Sequence, residues 1–311
     1  MRKIIGIGET ILDIIFKDEQ PHKAVPGGSV FNGLISLSRL NVPVSFISEI
    51  GNDHVGDIIK SFMAENGLAT DYMDCFPDGK SPVSLAFLDK DNNANYLFYK
   101  DYPNQRIDVS FPTINKDDIL IFGSYHALNP VLRNRVLELL QYAKERKAII
   151  YYDLNFRKAH AHEAIKLTPT VIENLEYADI VRGSDEDWLN IFGKTDVDNI
   201  YEDNIMFYCE RFITTHGAGG VNVFTGKEST HIAVPTIETV STIGAGDNFN
   251  AGILFGLLKY NICYDDLPTL NKETWCKIID CGIQLASEAC RSYDNYISWD
   301  FANTYSKQFQ F

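Results

Sequence analysis

The segment 240–252 begins as a polar turn with two glycines and a carboxylate and leads into apolar residues. Gly244 and Gly246 precede Asp247, and the following apolar residues recur at helical spacing, which predicts a helix that begins near Ala245. Glycines before a helix let its unpaired N–H groups approach an anion, and the helix dipole favours negative charge there. The segment therefore combines an anion-binding turn with a carboxylate that could accept a hydroxyl proton. Phosphoryl transfer to an alcohol requires both.

Taken alone, residues 244–247 are more typical of a plain helix cap, because Asp is favoured in the first turn of any helix. A second glycine turn, within residues 26–32, also precedes a predicted helix and places Asn32 one turn inside it. Asp13 lies in the apolar extended run 10–16, where a carboxylate either faces solvent or binds a ligand. Whether these polar groups form a site depends on the elements that position them.

Strands and helices alternate along most of the chain, which predicts a mainly parallel sheet with helices on both faces. The predicted strands are 3–8, 44–50, 119–122, 148–153, 179–182 and 212–215. Helices are predicted from the second glycine turn to residue 40, and over residues 53–67, 130–144 and about 274–291. One further helix is predicted to end at residue 178, and two others are predicted to begin at residues 184 and 245. Strand pairs 83–88 with 95–99, and 221–224 with 230–234, form predicted hairpins, and the first pair is expected to join the run 10–16 in a small separate sheet. The aromatic C-terminal segment 299–311 is expected to dock on the body or on a partner.

Four polar clusters come directly after predicted strands. They are residues 153–157, 184–187, 215–220 and 241–247. Ligands of open α/β sheets bind at the carboxyl ends of the strands, so we expect these clusters to converge on one edge.

Composition excludes several classes of function. The 311 residues carry a formal net charge of −14, which argues against general nucleic-acid binding but not against ATP. No apolar run is long enough for a membrane helix, and the first residues do not have the pattern of a signal peptide. The six cysteines form no CxxC pair and are expected to be buried, reduced thiols of a cytoplasmic protein. His160 and His162 are expected in a solvated loop, not at a metal site.

The commonest nucleotide-binding motifs are absent. Gly79, Lys80 and Ser81 match the end of a P-loop, but Asp74 stands where its first glycine is required. The chain also lacks the catalytic-loop and metal-binding signatures of protein kinases. A kinase with this sequence therefore belongs to neither the P-loop proteins nor the protein kinases.

From about residue 3 to 297 the chain resembles the ribokinase-like (PfkB) family of carbohydrate kinases. The segment 242–247, Thr-Ile-Gly-Ala-Gly-Asp, matches the specific C-terminal signature of that family. The glycines and Asn32 of segment 26–32, followed by residues 51–56, are similar to its N-terminal signature. Residues 153–157 resemble its internal Asn-x-Arg element, and residues 215–220 its nucleotide-binding turn. Within the family, Gly-Glu-Thr at 8–10 and Ser-Asp-Glu at 184–186 look most like fructokinases.

The resemblance implies one ribokinase-like domain over residues 1–311, with a three-layer α/β/α fold and a mainly parallel central sheet. It implies a small β-sheet lid built from about residues 11–26 and 82–110. The expected substrates are Mg·ATP and a sugar, and closure of the lid would exclude water from the reaction.

The resemblance also implies roles for individual residues. Asp247 would be the general base, with charge on the transferred group stabilised by the N–H groups of Gly244, Ala245 and Gly246. The sugar would be bound by Asp13, Gly27, Gly28, Asn32 and Arg157. The nucleotide would be bound by Asn155, Ser184, Thr215, Gly217 and Gly220.

Two positions depart from the family pattern. Ser241 stands where an Asp commonly serves a monovalent-cation site in the family, so only weak activation by potassium is expected. In the family, the position of Asp187 is commonly a Glu that interacts with Mg²⁺ and phosphate through water. The side chain of Asp187 is one methylene shorter than that of Glu.

Several acceptors remain open. Fructose is the first candidate, and 2-keto-3-deoxygluconate, ribose, another ketose or a nucleoside would undergo the same chemistry. A sugar phosphate is disfavoured, because the lid segments contain few cations. A sensor that binds sugar or nucleotide without catalysis is the alternative from another class. The apolar lid strands also suggest a homodimer formed through the lid.

Overall fold

The computed structural model describes residues 2–89, 94–103, 106–226 and 228–307. The strands are β1 (Ile4–Ile7), β2 (Ile11–Lys17), β3 (Gln20–Gly27), β4 (Val44–Gly51), β5 (Met73–Phe76), β6 (Lys80–Leu88), β7 (Ala94–Asp101), β8 (Ile119–Gly123), β9 (Ile149–Asp153), β10 (Ile180–Ser184), β11 (Arg211–Thr215), β12 (Val221–Thr225) and β13 (Glu228–Ile232). The helices are α1 (Ser29–Arg39), α2 (His54–Glu65), α3 (Ser124–Leu128), α4 (Arg133–Glu145), α5 (Ala164–Tyr177), α6 (Asp185–Phe192), α7 (Val197–Ile200), α8 (Ala245–Lys259), α9 (Lys272–Ala289) and α10 (Trp299–Ser306).

The central sheet has nine strands in the order β13-β12-β11-β10-β9-β8-β1-β4-β5. Neighbours from β11 to β5 pair in parallel, and at one edge β12 pairs antiparallel with both β11 and β13. The predicted alternation is therefore confirmed. The second strand of that hairpin begins two residues earlier than expected, at Glu228, and Lys227 of its turn lies outside the described residues.

Helices cover both faces of this sheet because its strands are apolar on both sides. Helices α1, α8 and α9 pack on one face, and α4, α5 and α6 on the other. Helix α8 is buried along almost its whole length, and Gly252 allows the backbone of α9 to approach: a Cβ there would lie 2.3 Å from the carbonyl oxygen of Cys281. Helix α8 is thereby packed closely against α9.

A separate four-stranded sheet, which we call the lid sheet, has the order β3-β2-β6-β7. Strands β2 and β6 pair in parallel, and the outer strands are antiparallel to them. The run 10–16 and the hairpin β6–β7 thus share one sheet, as the sequence predicts. Residues 90–93 of the predicted turn lie outside the described residues.

Residues 293–297, which we call the linking segment, contact the lid sheet and the start of α8. The Tyr296 hydroxyl donates to the carbonyl oxygen of Pro26, and Lys23 forms an ion pair with Asp294. The side-chain amide of Asn248 in α8 donates to the carbonyl oxygen of Asn295 at 2.8 Å. The linking segment therefore contacts both the lid sheet and the start of α8.

The aromatic C-terminal segment docks as predicted over the residues described. Tyr305 is buried in α10 and its ring lies 5.5 Å from that of Phe255 in α8. Residues 308–311 lie outside the described residues.

The expectation that all cysteines are buried is wrong. Cys75 is exposed on the edge strand β5, and Cys263, just before the 3₁₀ helix 264–269, and Cys276 in α9 are only partly buried. All six are free thiols. In the described parts of the chain, no helix has the length and apolarity needed to cross a membrane.

Candidate active site

The start of α8 has the geometry of an anion-binding turn. Gly244 adopts φ of 76°, a left-handed conformation that favours glycine. A Cβ at this position would also lie 2.7 Å from the carbonyl oxygen of Asn295 in the linking segment. Both constraints explain why a glycine stands immediately before the helix.

Two of the three predicted N–H groups are available. The N–H of Ala245 donates to the carbonyl oxygen of Thr242 at 3.2 Å, which closes the turn. Among the described residues, no backbone carbonyl accepts a hydrogen bond from the N–H of Gly244 or Gly246. Ala245 therefore shapes the turn, while the other two amides can donate to an anion.

Asp247 is 7% exposed at the base of this turn. Its Oδ2 accepts a hydrogen bond of 2.8 Å from the side-chain amide of Asn32 in α1. Burial raises the pKa of the Asp247 carboxyl, and the bond from Asn32 and the charges of Arg157 and Arg182 partly oppose this. The carboxyl therefore combines a fixed orientation with an increased affinity for protons, as a general base requires.

Asp13 extends from the lid strand β2 into the same region. Burial raises its pKa to about 6, and the negative charge of Asp247 adds to the shift. The Ser84 hydroxyl donates to its carboxylate. Gly27 makes room for this group, since a Cβ there would lie 2.4 Å from Asp13 Oδ2. Gly28 is required independently, because its φ is 134° and a Cβ would lie 2.1 Å from the carbonyl oxygen of Glu9.

One cavity of about 380 Å³ brings most predicted residues together. The predicted residues that line it are Asp13, Gly28, Asn32, Asn155, Arg157, Ser184, Asp187, Gly244, Gly246 and Asp247. Thr215, Gly217 and Gly220 do not line it; they lie at the end of β11 and in the following turn. Three of the four polar clusters thus meet at this cavity, and the fourth adjoins it through Thr215.

Arg182 is a buried cation that the sequence analysis did not single out. Its Nη1 donates to Asp153 Oδ1 at 3.0 Å, and its Nη2 donates to the Thr215 hydroxyl at 2.6 Å. The guanidinium group lies against Gly246, where a Cβ would be 3.2 Å from its nitrogens. Arg182 therefore connects the ends of three neighbouring strands to the glycine turn.

Asp187 has a structural role in addition to its position in the cavity wall. Its Oδ2 accepts from the backbone and hydroxyl of Ser184, and its Oδ1 accepts from the N–H of Phe156 at 2.5 Å. The bonds with Ser184 cap helix α6, and the bond from Phe156 connects the helix start to the segment after β9. The neighbouring Glu186 is exposed and lines the cavity. Within the described residues there is no cluster of three or more side chains suited to binding a metal.

Further cavity residues were missed because they come from elements remote in sequence. Strand β7 presents Tyr96, Phe98 and Lys100 to the cavity, and the alternation of this strand was the available signal. Glu9 and His126 line the cavity as well.

His160 does not lie in the solvated loop expected for it. It belongs to a short 3₁₀ helix of residues 158–163, and its ring stacks on that of Tyr125 at 3.9 Å in the cavity wall. This stacking partner is 35 residues away in sequence, so the spacing of the histidines could not indicate it.

The family model described as pfkB family carbohydrate kinase matches residues 1–300. The chain belongs to this family. It is a sugar kinase similar to fructokinases: a fructokinase from Rhizobium leguminosarum bv. trifolii is 28% identical over 269 residues, which cover 83% of this chain and 81% of the relative.

Solved structures show that the fold is shared with other kinases of this kind. A Vibrio cholerae fructokinase, described in a form bound to fructose, ADP and calcium ion, matches with a TM-score of 0.82 and 21% identity over 95% of this chain and 94% of its own. An aminoimidazole riboside kinase from Salmonella enterica, complexed with aminoimidazole riboside and an ATP analog, matches with a TM-score of 0.81 and 20% identity over 98% of this chain and all of its own (100%).

Proposed function

We propose that this chain transfers the γ-phosphoryl group of ATP to a sugar hydroxyl, with fructose as the first candidate acceptor. The observation that carries the proposal is the placement of Asp247 beside the free N–H groups of Gly244 and Gly246 in one cavity. Asp247 accepts the proton of the acceptor hydroxyl as its oxygen bonds to phosphorus, and the bond to ADP breaks. The two amides stabilise charge on the transferred group.

The acceptor lies between the lid sheet and α8. Asp13, Asn32 and the backbone of Gly28 bind its hydroxyl groups, since carboxylate and amide groups at fixed positions can recognise a polyol. Arg157 contacts the acceptor or the transferred phosphoryl group. Lid closure excludes water, which limits the hydrolysis of ATP.

The nucleotide occupies the carboxyl ends of the strands. Asn155 and Ser184 line its side of the cavity, Thr215 adjoins them through its hydrogen bond with Arg182, and the turn with Gly217 and Gly220 is open to it. At Gly217 no atom lies within 4 Å of a Cβ position, so a ligand can approach the backbone closely.

Mg²⁺ fits the oxygen-rich wall at the start of α6. This ion is commonly held by one or two carboxylates together with phosphates and water, so the absence of a larger cluster among the described residues is compatible with it. Glu186 is exposed in the cavity wall and could contact the ion, and Asp187 would act through water. When bound with ATP, the ion neutralises phosphate charge.

The test is ADP release from Mg·ATP across a panel of acceptors: fructose, ribose, 2-keto-3-deoxygluconate and adenosine. We expect a strong signal with at least one of them that is lost in Asp247→Ala. Silence across the panel while ATP remains bound would contradict the kinase proposal and favour a sensor.

We expect kcat/KM to fall as the pH is lowered through about 6, the pKa of Asp13. Asp247 must be ionised to accept a proton, and its pKa is also raised by burial. Because raised pKa values mean protonation at higher pH, activity is lost well above the pKa of an exposed aspartate, about 3.9. The measurement is kcat/KM between about pH 4.5 and 8.5. Asp13→Asn should move the acid limb of the profile to lower pH; a profile that stays flat down to about pH 4.5 would contradict the assignment.

We expect only weak dependence on potassium. Ser241 is buried, its hydroxyl accepts a hydrogen bond from the N–H of Ile243 at 3.2 Å, and it supplies no charge to a cation. The measurement is the initial rate with potassium chloride against tetramethylammonium chloride at equal ionic strength. A steep rise with potassium would show that other oxygens form the cation site.

We also propose a homodimer through the outer face of the lid sheet. Leu97 and Tyr99 alternate with the cavity-facing residues of β7 and are 53% and 59% exposed. Light scattering at micromolar concentration should give twice the chain mass. Leu97→Lys should lower that mass to one chain, and a strictly monomeric mass of the unchanged protein would refute the proposal.

A further inference from the structure

Arg182 contacts both turns that the proposed function assigns to ATP. Its Nη2 donates to the hydroxyl of Thr215 at 2.6 Å, where β11 ends and the turn 216–220 begins. A Cβ at Gly246 would lie 3.2 Å from both Nη1 and Nη2, so the guanidinium group also packs against the glycine turn at the start of α8. Arg182 itself lines the cavity. One side chain of β10 therefore connects two segments that are remote in sequence.

The stability of the fold does not by itself explain this side chain. Arg182 and Asp153 are 6% and 1% exposed and form an ion pair of 3.0 Å. Burial opposes the charge of Arg182, but the carboxylates of Asp153 and Asp187 outweigh it and raise the pKa of the guanidinium group. A buried ion pair often contributes no more to stability than well-packed apolar residues of similar volume. Since Arg182 lines the cavity and Asp153 does not, we looked for a role of the cation in the site.

The bond from Arg182 determines how the hydroxyl of Thr215 can bind a ligand. An arginine side chain has N–H donors and no acceptor, so the Thr215 oxygen accepts this bond and its own hydrogen is left to donate. Phosphate oxygens are acceptors and require donors. Arg182 therefore fixes Thr215 as a donor at the place that the proposed function gives to the nucleotide.

The guanidinium group also acts on the glycine turn. Its positive charge lies directly against Gly246, whose N–H donates to no backbone carbonyl among the described residues. A cation beside a free amide increases the attraction for an anion, and a buried position weakens the screening by water. The charge also reaches the next residue. Burial raises the pKa of Asp247, and Arg182 opposes this together with Asn32 and Arg157.

We propose that Arg182 is a positioning residue for the nucleotide: it orients the hydroxyl of Thr215 towards the phosphates and supports the amide of Gly246 at the transferred group. The proposal rests on the kinase function proposed above and adds a residue that acts through its neighbours. Asp153 fixes the planar guanidinium group, because one nitrogen binds Asp153 while the other binds Thr215.

The first experiment uses a variant that lacks the cation and leaves no buried charge unpaired. Arg182→Leu combined with Asp153→Leu replaces both partners of the ion pair by apolar residues. Calorimetry gives its dissociation constants for Mg·ATP and for AMP. We expect the constant for Mg·ATP to rise about tenfold or more, because donors to phosphate are lost, and the constant for AMP to change much less. A double variant that binds Mg·ATP as tightly as the unchanged protein, or that loses affinity for both nucleotides alike, would overturn the proposal.

Two further variants separate charge from packing. Arg182→Lys keeps a positive charge beside Asp153 but lacks the planar fork, so it should bind Mg·ATP more tightly than the double variant. A lysine variant with no such advantage would contradict a role for the cation. Should the leucine pair fail to fold, Arg182→Gln with Asp153→Asn replaces the ion pair by neutral hydrogen-bonding groups, and the same differences between Mg·ATP and AMP are expected.

The second experiment tests whether Arg182 acts through Thr215. Thr215→Val should weaken Mg·ATP binding, and adding it to the double variant should weaken binding by less than the separate effects combined. Fully additive effects would refute action through Thr215. Thr214→Val is the matched control: Thr214 is 0% exposed and accepts from Trp188 Nε1 at 3.1 Å outside the cavity, so stability should fall while Mg·ATP affinity is unchanged.

Kinetics distinguish failure of this proposal from failure of the kinase function. With an acceptor that is turned over, the double variant should lower kcat by about tenfold or more with little change in KM for the acceptor. If the unchanged protein binds Mg·ATP but turns over no acceptor, the kinase function fails and calorimetry alone decides the role of Arg182. An unchanged protein that binds no Mg·ATP would refute both.

Discussion

Asp247→Asn should lower kcat by about two to four orders of magnitude, the usual contribution of a general base. The variant keeps the size and the hydrogen-bonding capacity needed to face Asn32, but it cannot accept a proton from the acceptor hydroxyl. ATP affinity should remain within a few-fold of that of the unchanged protein, because the free amides of Gly244 and Gly246 are untouched. The measurements are kcat from ADP release at saturating substrates and the dissociation constant of ATP by calorimetry.

The control for this prediction is Asp118→Asn, which removes a carboxylate of similar burial outside the cavity and should leave kcat unchanged. An Asp247→Asn enzyme within tenfold of the unchanged one would show that another group accepts the proton. A parallel loss of ATP binding would show that the substitution had disturbed the glycine turn instead.

Arg182→Leu should lower the free energy of unfolding by about 3–5 kcal/mol, the cost of leaving one partner of a buried ion pair without the other. Asp153 is 1% exposed, and burial already raises its pKa to about 6 even beside Arg182. Without the guanidinium group, the carboxyl must either remain charged in a dry interior or take up a proton. The measurement is urea-induced unfolding at neutral pH.

A double variant separates the ion pair from simple loss of packing. Arg182→Leu with Asp153→Leu should recover much of the lost stability, since no unpaired charge remains. Lys277→Gln breaks the exposed pair with Glu273 and should change stability by no more than about 0.5 kcal/mol. A double variant that is no more stable than Arg182→Leu would refute the ion pair as the cause.

The sequence predicts the parts of this site whose signal is local. Asp247 and its glycines occupy consecutive positions at a helix start, so their chemistry and their placement can both be inferred from one segment. The alternation of strands and helices then predicts the sheet, and the sheet brings residues 153–157 and 184–187 to the same edge. These inferences need only the periodicity of each element and the direction of parallel strands.

Contacts between distant segments could not be predicted in this way. Arg182 binds Asp153 and Thr215 only because β9, β10 and β11 are adjacent and in this particular register. The pairing of Lys100 with Glu9 depends on how the lid sheet sits on the body. Hydrogen bonds within the turn could not be predicted either: the N–H of Ala245 donates to a carbonyl oxygen of the glycine turn itself and is not available to an anion.

The linking segment 293–297 has a consequence for the order of events in catalysis. Asn295 supports Gly244 and approaches Asp13, and Tyr296 holds the lid strand at Pro26. In the proposed reaction the acceptor binds at Asp13 and the phosphates bind at the glycine turn, so both ligands act on this one segment and we expect their affinities to be coupled. Coupling between two binding sites is reciprocal, so the acceptor raises the affinity for the nucleotide by the same factor as the nucleotide raises the affinity for the acceptor. We therefore expect the nucleotide to bind more tightly once the acceptor is present.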